Sequence, residues 1–256
     1  MKLEQQVAIV TGAGRNIGEG IARALADQGA RVAVVDRDGE RARKVADSIG
    51  ATHPEAALAV QADVTSDADV RRMVAEVAQR WEGIHILVNN VGVVDRKNIL
   101  ETDEAEWDRV IGISLKSVFL CTKHVAQHMV DAGQGGRIVN IASTSGHQAR
   151  VDATAYPAAK GAVLHLTRCL AAQLAPYGIR VNSVTPNRVL TAVEPGEVPR
   201  NWTVRNLIGR QITPEDVARA VVFLASDDGA AITGTELLVD GGALLMVASP
   251  ASPASV

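Results

Sequence analysis

Short apolar runs alternate with longer segments of helical periodicity along almost the whole chain. Seven runs are too short for helices, and their β-branched content and flanking turns are typical of strands buried on both faces. We predict strands at Val7–Val10, Val32–Val35, Ala57–Val60, Ile84–Val88, Ile138–Ile141, Val181–Val184 and Glu236–Val239. We predict helices between them at Ile17–Gln28, Glu40–Ile49, Ala68–Trp81, Glu104–Ala132, Thr154–Ala175 and Pro214–Ser226.

This alternation determines the expected fold class. Alternating strands and helices predict a parallel sheet with helices on both faces. No polar linker separates the seven strands, so we expect a single, doubly wound α/β domain with a seven-stranded sheet over residues 1–246. Residues 247–256 are rich in Ala, Ser and Pro, and we expect a disordered tail unless a partner surface holds it.

Composition narrows the classes of function. Of the 256 residues, 47% are apolar and 21% are charged, the balance of an ordinary globular protein with a large core. The net charge of -3 gives no electrostatic reason to expect nucleic acid or an anionic membrane as a partner. We find neither a signal peptide nor a membrane span, and expect a cytoplasmic protein. Cys121 and Cys169 lack metal-ligand spacing, so we expect reduced thiols and no metal site.

A glycine-rich turn follows the first predicted strand and leads into the first predicted helix. It runs from Thr11 to Gly18 (TGAGRNIG), a T-G-x-x-x-G-x-G spacing in which Asn16 replaces the second glycine. Such turns bring backbone N–H groups against a pyrophosphate at the positive end of a helix. Asn tolerates positive φ better than most residues, so we expect the turn to keep its shape. The predicted cofactor contacts here are Gly12, Arg15, Asn16, Ile17 and Gly18.

The second predicted strand ends next to Asp36, 18 residues after Gly18. A carboxylate at this place accepts hydrogen bonds from the hydroxyls of an adenosine ribose and repels a 2′-phosphate, which favours NAD. Arg15 and Arg37 favour NADP instead, since either could pair with a phosphate. We predict NAD, because Asp36 would have to move aside before a phosphate fitted. The alternative for Asp36 is a turn residue without a cofactor role.

Tyr156 and Lys160 lie four residues apart in a predicted helix, on one face and about one 5.4 Å turn from each other. A nearby ammonium favours the phenolate, so we expect Lys160 to lower the pKa of Tyr156 towards a range in which it exchanges protons. The pair alone is a weak signal, because such spacings occur by chance on many helices. Other motifs in the chain give it meaning.

Six motifs occur in order: TGAGRNIG from Thr11, NNVG from Asn89, Ser143, Tyr156-x-x-x-Lys160, PN-x-x-x-T from Pro186, and DGG from Asp240. Together they identify a resemblance to the short-chain dehydrogenases/reductases over roughly residues 5–245. The resemblance implies a Rossmann-like domain, a nicotinamide cofactor, and usually a homotetramer, with a homodimer as the alternative. It places the fourth and fifth predicted helices at the subunit interface.

The resemblance also assigns further cofactor contacts to residues at matching positions: Asp63, Val64, Asn90, Gly92, Tyr156, Lys160, Pro186, Val189 and Thr191. Two positions that adjoin these predicted contacts depart from the family pattern. Val91 replaces an alanine, which should tighten local packing. Asn187 replaces a glycine, and we expect it to stiffen its turn and project a polar side chain near the nicotinamide end.

Ser143 precedes Tyr156 by 13 residues, the spacing that the family shows between its catalytic serine and tyrosine. The resemblance implies that Tyr156 takes the hydroxyl proton of an alcohol while a hydride leaves for the nicotinamide. It implies that Ser143 fixes the substrate oxygen and that Lys160 also grips the nicotinamide ribose. Thr144 and Ser145 are rival hydroxyls without the matching spacing.

Ser114 departs from the family at a catalytic position, where an asparagine is thought to hold a water in the proton relay from the lysine to solvent. A hydroxyl can still bind water, but it lacks the fixed donor–acceptor pair of an amide. We expect an active enzyme with a relay rearranged around Ser114. The alternative is a degenerate scaffold that binds a dinucleotide without chemistry.

Three segments should line the substrate end of the cleft: 93–98, 144–155 and 187–202. Arg150 and Arg188 could clamp a carboxylate, which would indicate a hydroxy- or keto-acid, or both could face solvent. We predict an NAD-dependent oxidoreductase that interconverts a small or medium secondary alcohol and its ketone. The alternative within enzymes is an NADP-dependent carbonyl or 3-oxoacyl-thioester reductase.

Overall fold

Seven parallel strands form one sheet in a computed structural model of the chain, which describes residues 1–190 and 204–246. Strands β1 to β7 are Val7–Thr11, Arg31–Asp36, Ala57–Gln61, Ile86–Asn89, Gly136–Ile141, Ile179–Pro186 and Glu236–Val239. Each predicted strand is present, with ends that differ by at most two residues. The predicted doubly wound α/β fold is confirmed. The predicted tail, 247–256, lies outside the described residues.

The sheet is covered on both faces, which explains its continuous apolar strands. In β1, Ala8 and Val10 belong to the core on the side of α1 and α7, while Val7 and Ile9 belong to the core on the side of α3 and α5. Within residues 1–190 and 204–246, the α-helices α1 to α7 are Asn16–Asp27, Gly39–Thr52, Asp67–Trp81, Glu104–Ile111, Ser117–Ala132, Ala155–Leu174 and Pro214–Ala225. Successive side chains of a strand point to opposite faces, so a strand between two helical layers needs apolar residues at every position.

The prediction of one uninterrupted α-helix over Glu104–Ala132 is wrong in its centre. A π-helical segment, Gly112–Lys116, separates α4 from α5. Apolar periodicity does not reveal such a segment, because the flanking α-turns keep their usual spacing. Ser114 lies inside it, and π-helical turns often occur at functional sites.

The strands follow the order β3-β2-β1-β4-β5-β6-β7. The chain therefore reverses its direction across the sheet between β1 and β4, and ligands of open parallel sheets bind at the carboxyl ends of strands at such a point. The glycine-rich turn after β1 and the NNVG motif after β4 both lie there. In the described part of the chain, no helix is long and apolar enough to cross a membrane.

Candidate active site

The glycine-rich turn between β1 and α1 has the backbone conformation that its sequence predicts. Gly12 and Asn16 both have positive φ, +62° and +54°, so Asn16 fills the second glycine position as expected. Gly18 admits no side chain, because a Cβ would lie 2.1 Å from the Gly12 carbonyl oxygen. Asn90 Nδ2 donates to the carbonyl oxygens of Thr11 (3.0 Å) and Gly12 (3.1 Å). These bonds tie the turn to the end of β4.

Asp36 is held in place at the end of β2 by two backbone hydrogen bonds. Its Oδ2 accepts from the Gly14 N–H at 3.1 Å, and its Oδ1 accepts from the Asp38 N–H at 3.0 Å. An ionised carboxylate offers about four acceptor positions, so both oxygens can accept further bonds. Movement of this side chain would break both backbone bonds. The structure therefore fixes a carboxylate where the sequence predicts the ribose contact.

A cleft of about 1010 Å³ opens at the carboxyl ends of the strands, a size at the upper limit of ordinary ligand pockets and sufficient for a dinucleotide. Ten predicted cofactor residues line it: Gly12, Arg15, Asn16, Ile17, Gly18, Asp36, Asp63, Val64, Asn90 and Gly92. The sequence reasoning missed a second group of lining residues, contributed by α4 and the π-helical segment: Asp108, Arg109, Gly112, Ile113 and Lys116. No local pattern showed which side of these elements meets the cleft.

Three other predicted cofactor residues lie in or after β6. Pro186 ends that strand and Val189 follows it, but neither is among the residues that line the cleft. Thr191 lies outside the described residues. The side chain of Asn187 is held by Thr144, whose Oγ1 donates a hydrogen bond to Asn187 Oδ1 at 3.1 Å. This bond joins the segments after β5 and β6.

Ser143 meets Tyr156 where the segment after β5 packs against α6. Ser143 caps a short 3-10 turn, Thr144–Gly146, and its side chain interacts with the phenol of Tyr156. At Gly146 a Cβ would lie only 2.9 Å from the Lys160 carbonyl carbon, so the two backbones are in direct contact. The predicted serine, tyrosine and lysine are thus brought together by a contact that only glycine allows.

The expected effect of Lys160 on Tyr156 is wrong for this arrangement. Burial raises the pKa of Tyr156, and the interaction with Ser143 and the charge of Arg150 only partly oppose that rise. Lys160 is buried, and its Nζ donates to the Ile141 carbonyl oxygen at 2.6 Å and lies 5.8 Å from the centre of the Tyr156 ring. Burial also lowers the pKa of Lys160 from 10.5 to about 8, so above that pH the side chain is neutral and its charge no longer stabilises a phenolate.

Ser114 is fully buried and bonded to the backbone of the segment after β4. Its Oγ accepts from the Val93 N–H at 3.0 Å and donates to the Val93 carbonyl oxygen at 3.3 Å. A Cβ at Gly92 would lie 3.2 Å from Lys160 Nζ and 3.8 Å from Ser114 Oγ, so both polar groups approach the same point. The absence of a side chain at Gly92 leaves a space beside both groups.

A buried chain of polar side chains stabilises the sheet beneath these groups. Asn89 Nδ2 donates to Thr122 Oγ1 at 3.1 Å and to Asn140 Oδ1 at 2.9 Å, and Asn140 Nδ2 donates to Thr167 Oγ1 at 2.9 Å. These bonds connect β4 and β5 with α5 and α6. Hydrogen bonds are strong in a low-dielectric interior, so the network holds α6, which carries Tyr156 and Lys160, rigidly against the sheet.

Two side chains of the predicted substrate segments have partners of their own. Arg150 Nε and Nη2 both donate to the carboxylate of Asp152 at 3.1 Å. His147 Nε2 is hydrogen-bonded to Glu236 Oε1 at 2.6 Å. Arg150 is therefore anchored within its loop, yet its charge still acts on the Tyr156 phenol.

Asp95 belongs to the site although the sequence reasoning did not identify it. Its buried carboxylate accepts hydrogen bonds from backbone N–H groups at the start of α6, including that of Tyr156. These partners lie 59 to 61 residues further along the chain. No local spacing or motif connects the two segments, so only the tertiary structure reveals the contact.

Known proteins resemble this chain over almost its whole length. A family model described as "Enoyl-(Acyl carrier protein) reductase" matches residues 12–243. The chain is 38% identical to meso-2,3-butanediol dehydrogenase from Serratia marcescens, over 95% of this chain and 96% of the relative. It is 42% identical to cis-4-hydroxycyclohexanecarboxylate dehydrogenase from Sinomonas cyclohexanicum, over 93% of this chain and 96% of the relative.

Solved structures agree with these relationships. A crystal structure of 3-ketoacyl-(acyl-carrier-protein) reductase from Brucella melitensis, complexed with NADH, has a TM-score of 0.86 and 38% sequence identity to this chain. The match covers 94% of this chain and 99% of the reductase. Similarity at this level of identity, over nearly the full length of both proteins, extends beyond a shared fold to a shared family.

Proposed function

Because the chain belongs to the short-chain dehydrogenase/reductase family, we propose that it interconverts a small or medium secondary alcohol and its ketone, with NAD as the cofactor. The predicted family resemblance is confirmed, and with it the class of NAD(P)-dependent oxidoreductases that act on CH–OH groups. The observation that carries the proposal is the grouping of Ser143 and Lys160 around Tyr156, with Lys160 Nζ next to Gly92 of a cleft lined by the predicted dinucleotide contacts.

In the proposed reaction, Tyr156 exchanges the proton and Ser143 positions the substrate oxygen. As a phenolate, Tyr156 takes the proton of the alcohol hydroxyl, and in the reverse direction the phenol returns it to the carbonyl oxygen. The hydroxyl of Ser143 donates a hydrogen bond to that same oxygen. The nicotinamide ring supplies the acceptor for the hydride that leaves the carbinol carbon.

Lys160 supports this exchange in the proposed mechanism. A pKa of about 8 lets its ammonium lose and regain a proton near neutral pH. Its Nζ and the Ser114 hydroxyl both lie beside Gly92, where a water molecule could bridge them. We propose that Tyr156 exchanges its proton with solvent along this route, with Ser114 in place of the asparagine of the family.

The proposed preference for NAD rests on Asp36. Its two backbone hydrogen bonds keep the carboxylate at the ribose position, so a 2′-phosphate would meet a fixed negative charge. Arg15 and Arg37 line the same cleft and favour the second candidate, an NADP-dependent carbonyl or 3-oxoacyl-thioester reductase. A comparison of kcat/KM for the two cofactors separates the candidates, and a strong preference for NADPH would identify the second.

A panel of secondary alcohols tests the reaction itself. We would follow the absorbance of reduced cofactor with butane-2,3-diol, cyclohexanol, 4-hydroxycyclohexanecarboxylate and a 3-hydroxyacyl thioester, which are chosen from the names of the relatives. Tyr156→Phe should lower the turnover number by about 10²-fold or more, because it removes the group that moves the proton. Turnover that survives in Tyr156→Phe, or NAD binding without any turnover in the unchanged protein, would contradict the proposal.

We also propose that the protein is a cytoplasmic homotetramer, with a homodimer as the alternative. Phe119 of α5, which lies in the fourth predicted helix and so at the expected interface, is 50% exposed. Leu238 of the edge strand β7 is also exposed, at 46%. Side chains of this kind favour burial in a subunit contact. Light scattering would measure the mass in solution, and Phe119→Asp should shift it to smaller species. A monomeric mass of the unchanged protein would exclude both assemblies.

A further inference from the structure

Asp95 caps the catalytic helix from a distant segment. Its Oδ2 accepts from the N–H groups of Thr154 (2.9 Å) and Ala155 (2.8 Å), and its Oδ1 accepts from the N–H of Tyr156 (3.1 Å). The first N–H groups of a helix have no partner within the helix, and an anion is stabilised there by the helix dipole. Thr154, which occupies the cap position of α6, does not cap the helix with its own side chain.

The carboxylate of Asp95 is ionised in spite of its burial. The side chain is almost inaccessible to water, which raises the pKa, but the hydrogen bonds from Ala155, Thr154 and Tyr156 outweigh this effect and lower the pKa overall. A buried carboxylate that keeps its charge forms strong hydrogen bonds with its donors. Asp95 is thus a fixed anion at the beginning of the helix that carries the reacting phenol.

The segment that carries Asp95 is itself fastened on both sides. Val93 is held by Ser114 of the π-helical segment through two hydrogen bonds. The carbonyl oxygen of Lys97 accepts from Thr154 Oγ1 at 3.2 Å. The position of the cap is therefore set by Ser114 at one end and by α6 itself at the other.

We propose that Asp95 is a positioning residue for catalysis, whose bond to the Tyr156 backbone sets the place of the phenol oxygen relative to Ser143. The inference rests on the proposed function, in which Tyr156 moves the proton. A displacement of about 1 Å in a reacting group can lower a rate about a hundredfold. Asp95 thereby links the π-helical segment at Ser114 to the reacting group through the hydrogen bonds of Val93, the backbone from Val93 to Asp95, and the hydrogen bonds of Asp95.

Kinetics of Asp95→Asn and Asp95→Ala test this inference. Asn keeps the size of the side chain but presents an NH₂ group to N–H donors, so the turnover number should fall about tenfold or more, and further in Asp95→Ala. KM for NAD should change less than kcat, because most of the predicted cofactor contacts lie on segments that Asp95 does not hold. The primary deuterium isotope effect on alcohol oxidation should rise, since misplacement slows the chemical step. The matched control is Asp103→Asn, which removes an exposed carboxylate that caps α4, and it should keep the activity.

A titration of the Tyr156 phenol tests the positioning role of Asp95 by a measurement other than turnover. The chain has two tyrosines, so Tyr177→Phe leaves Tyr156 as the only phenol that ultraviolet absorbance reports. In that background, Asp95→Ala should lower the pKa of Tyr156, because a loosened first turn exposes the phenol to water. An unchanged titration with an unchanged turnover number would overturn the inference. If the unchanged protein oxidises no alcohol, the proposed function fails, while the titration still tests the role of Asp95.

Discussion

Lys160→Met replaces a buried cation with an apolar side chain of similar length and should stabilise the cofactor-free protein while it abolishes activity. Lys160 is buried and has one carbonyl partner, Ile141, within hydrogen-bond distance. A buried charge with so few hydrogen-bond partners lowers the free energy of unfolding. The substitution therefore separates the contribution of this residue to folding from its contribution to catalysis.

The pKa of Lys160 determines the size and sign of the effect. Burial lowers it from 10.5 to about 8 in the folded protein, and each unit corresponds to about 1.4 kcal/mol, so the charge destabilises the fold by about 3 kcal/mol at neutral pH. Loss of the bond to the Ile141 carbonyl removes about 1 kcal/mol. The net gain should be about 2 kcal/mol, or roughly 5 °C in Tm.

Urea unfolding of the cofactor-free protein at several pH values measures this gain. Below about pH 8, Lys160 is protonated in both the folded and the unfolded state, so its buried charge destabilises the fold to the full extent. Between about pH 8 and 10.5, Lys160 is protonated only in the unfolded state, and the stability of the unchanged protein rises with pH. The advantage of Lys160→Met should therefore shrink over that range. Lys44→Met, on the exposed side of α2, is the control and should show no such dependence. A variant less stable than the unchanged protein at neutral pH would refute the reasoning.

Three further substitutions test other parts of the site. Asp36→Asn keeps the size but not the charge of the side chain, so the ratio of kcat/KM for NAD to that for NADP should fall about tenfold to a hundredfold. The control Asp47→Asn, on the exposed side of α2, should leave this ratio unchanged. Equal ratios in the two variants would exclude the role of Asp36 in cofactor choice. Ser143→Ala removes the interaction that lowers the pKa of Tyr156, so the rise of alcohol oxidation with pH should move to higher pH. The turnover number should also fall about 10²-fold or more. A pH profile shifted to lower pH would contradict the role proposed for Ser143. Ser114→Asn should keep or raise the turnover number, and a large loss would contradict the proposed relay.

Much of the cleft that we propose for the cofactor could be predicted because its signals are local. The strands come from short apolar runs, and the turn from Gly12 to Gly18 comes from residues whose backbone preferences are their own. Asp36 lies at a strand end, and the end of a strand in a parallel sheet is also the edge where ligands bind. The structure confirms these elements and gathers their side chains in one cleft.

The electrostatic properties of the catalytic residues could not be predicted in the same way. Spacing on a helix correctly places Lys160 near Tyr156, but it does not report how far either group is removed from water. Burial reverses the expected direction of the tyrosine pKa and also lowers that of the lysine. Desolvation depends on every element packed around a group, so it is a property of the assembled fold.

The sequence by itself determined the family and the alternation of strands and helices, and it supplied the residues that we propose for cofactor binding and proton transfer. Only the tertiary structure decided that α4 and α5 are separated by a π-helical segment at Ser114, and that Asp95 caps the helix of Tyr156. The physical reason is the range of the interactions. Backbone preference and apolar periodicity act between neighbours in the chain, whereas the bonds of Ser114 and Asp95 join segments that are 21 and 59 to 61 residues apart.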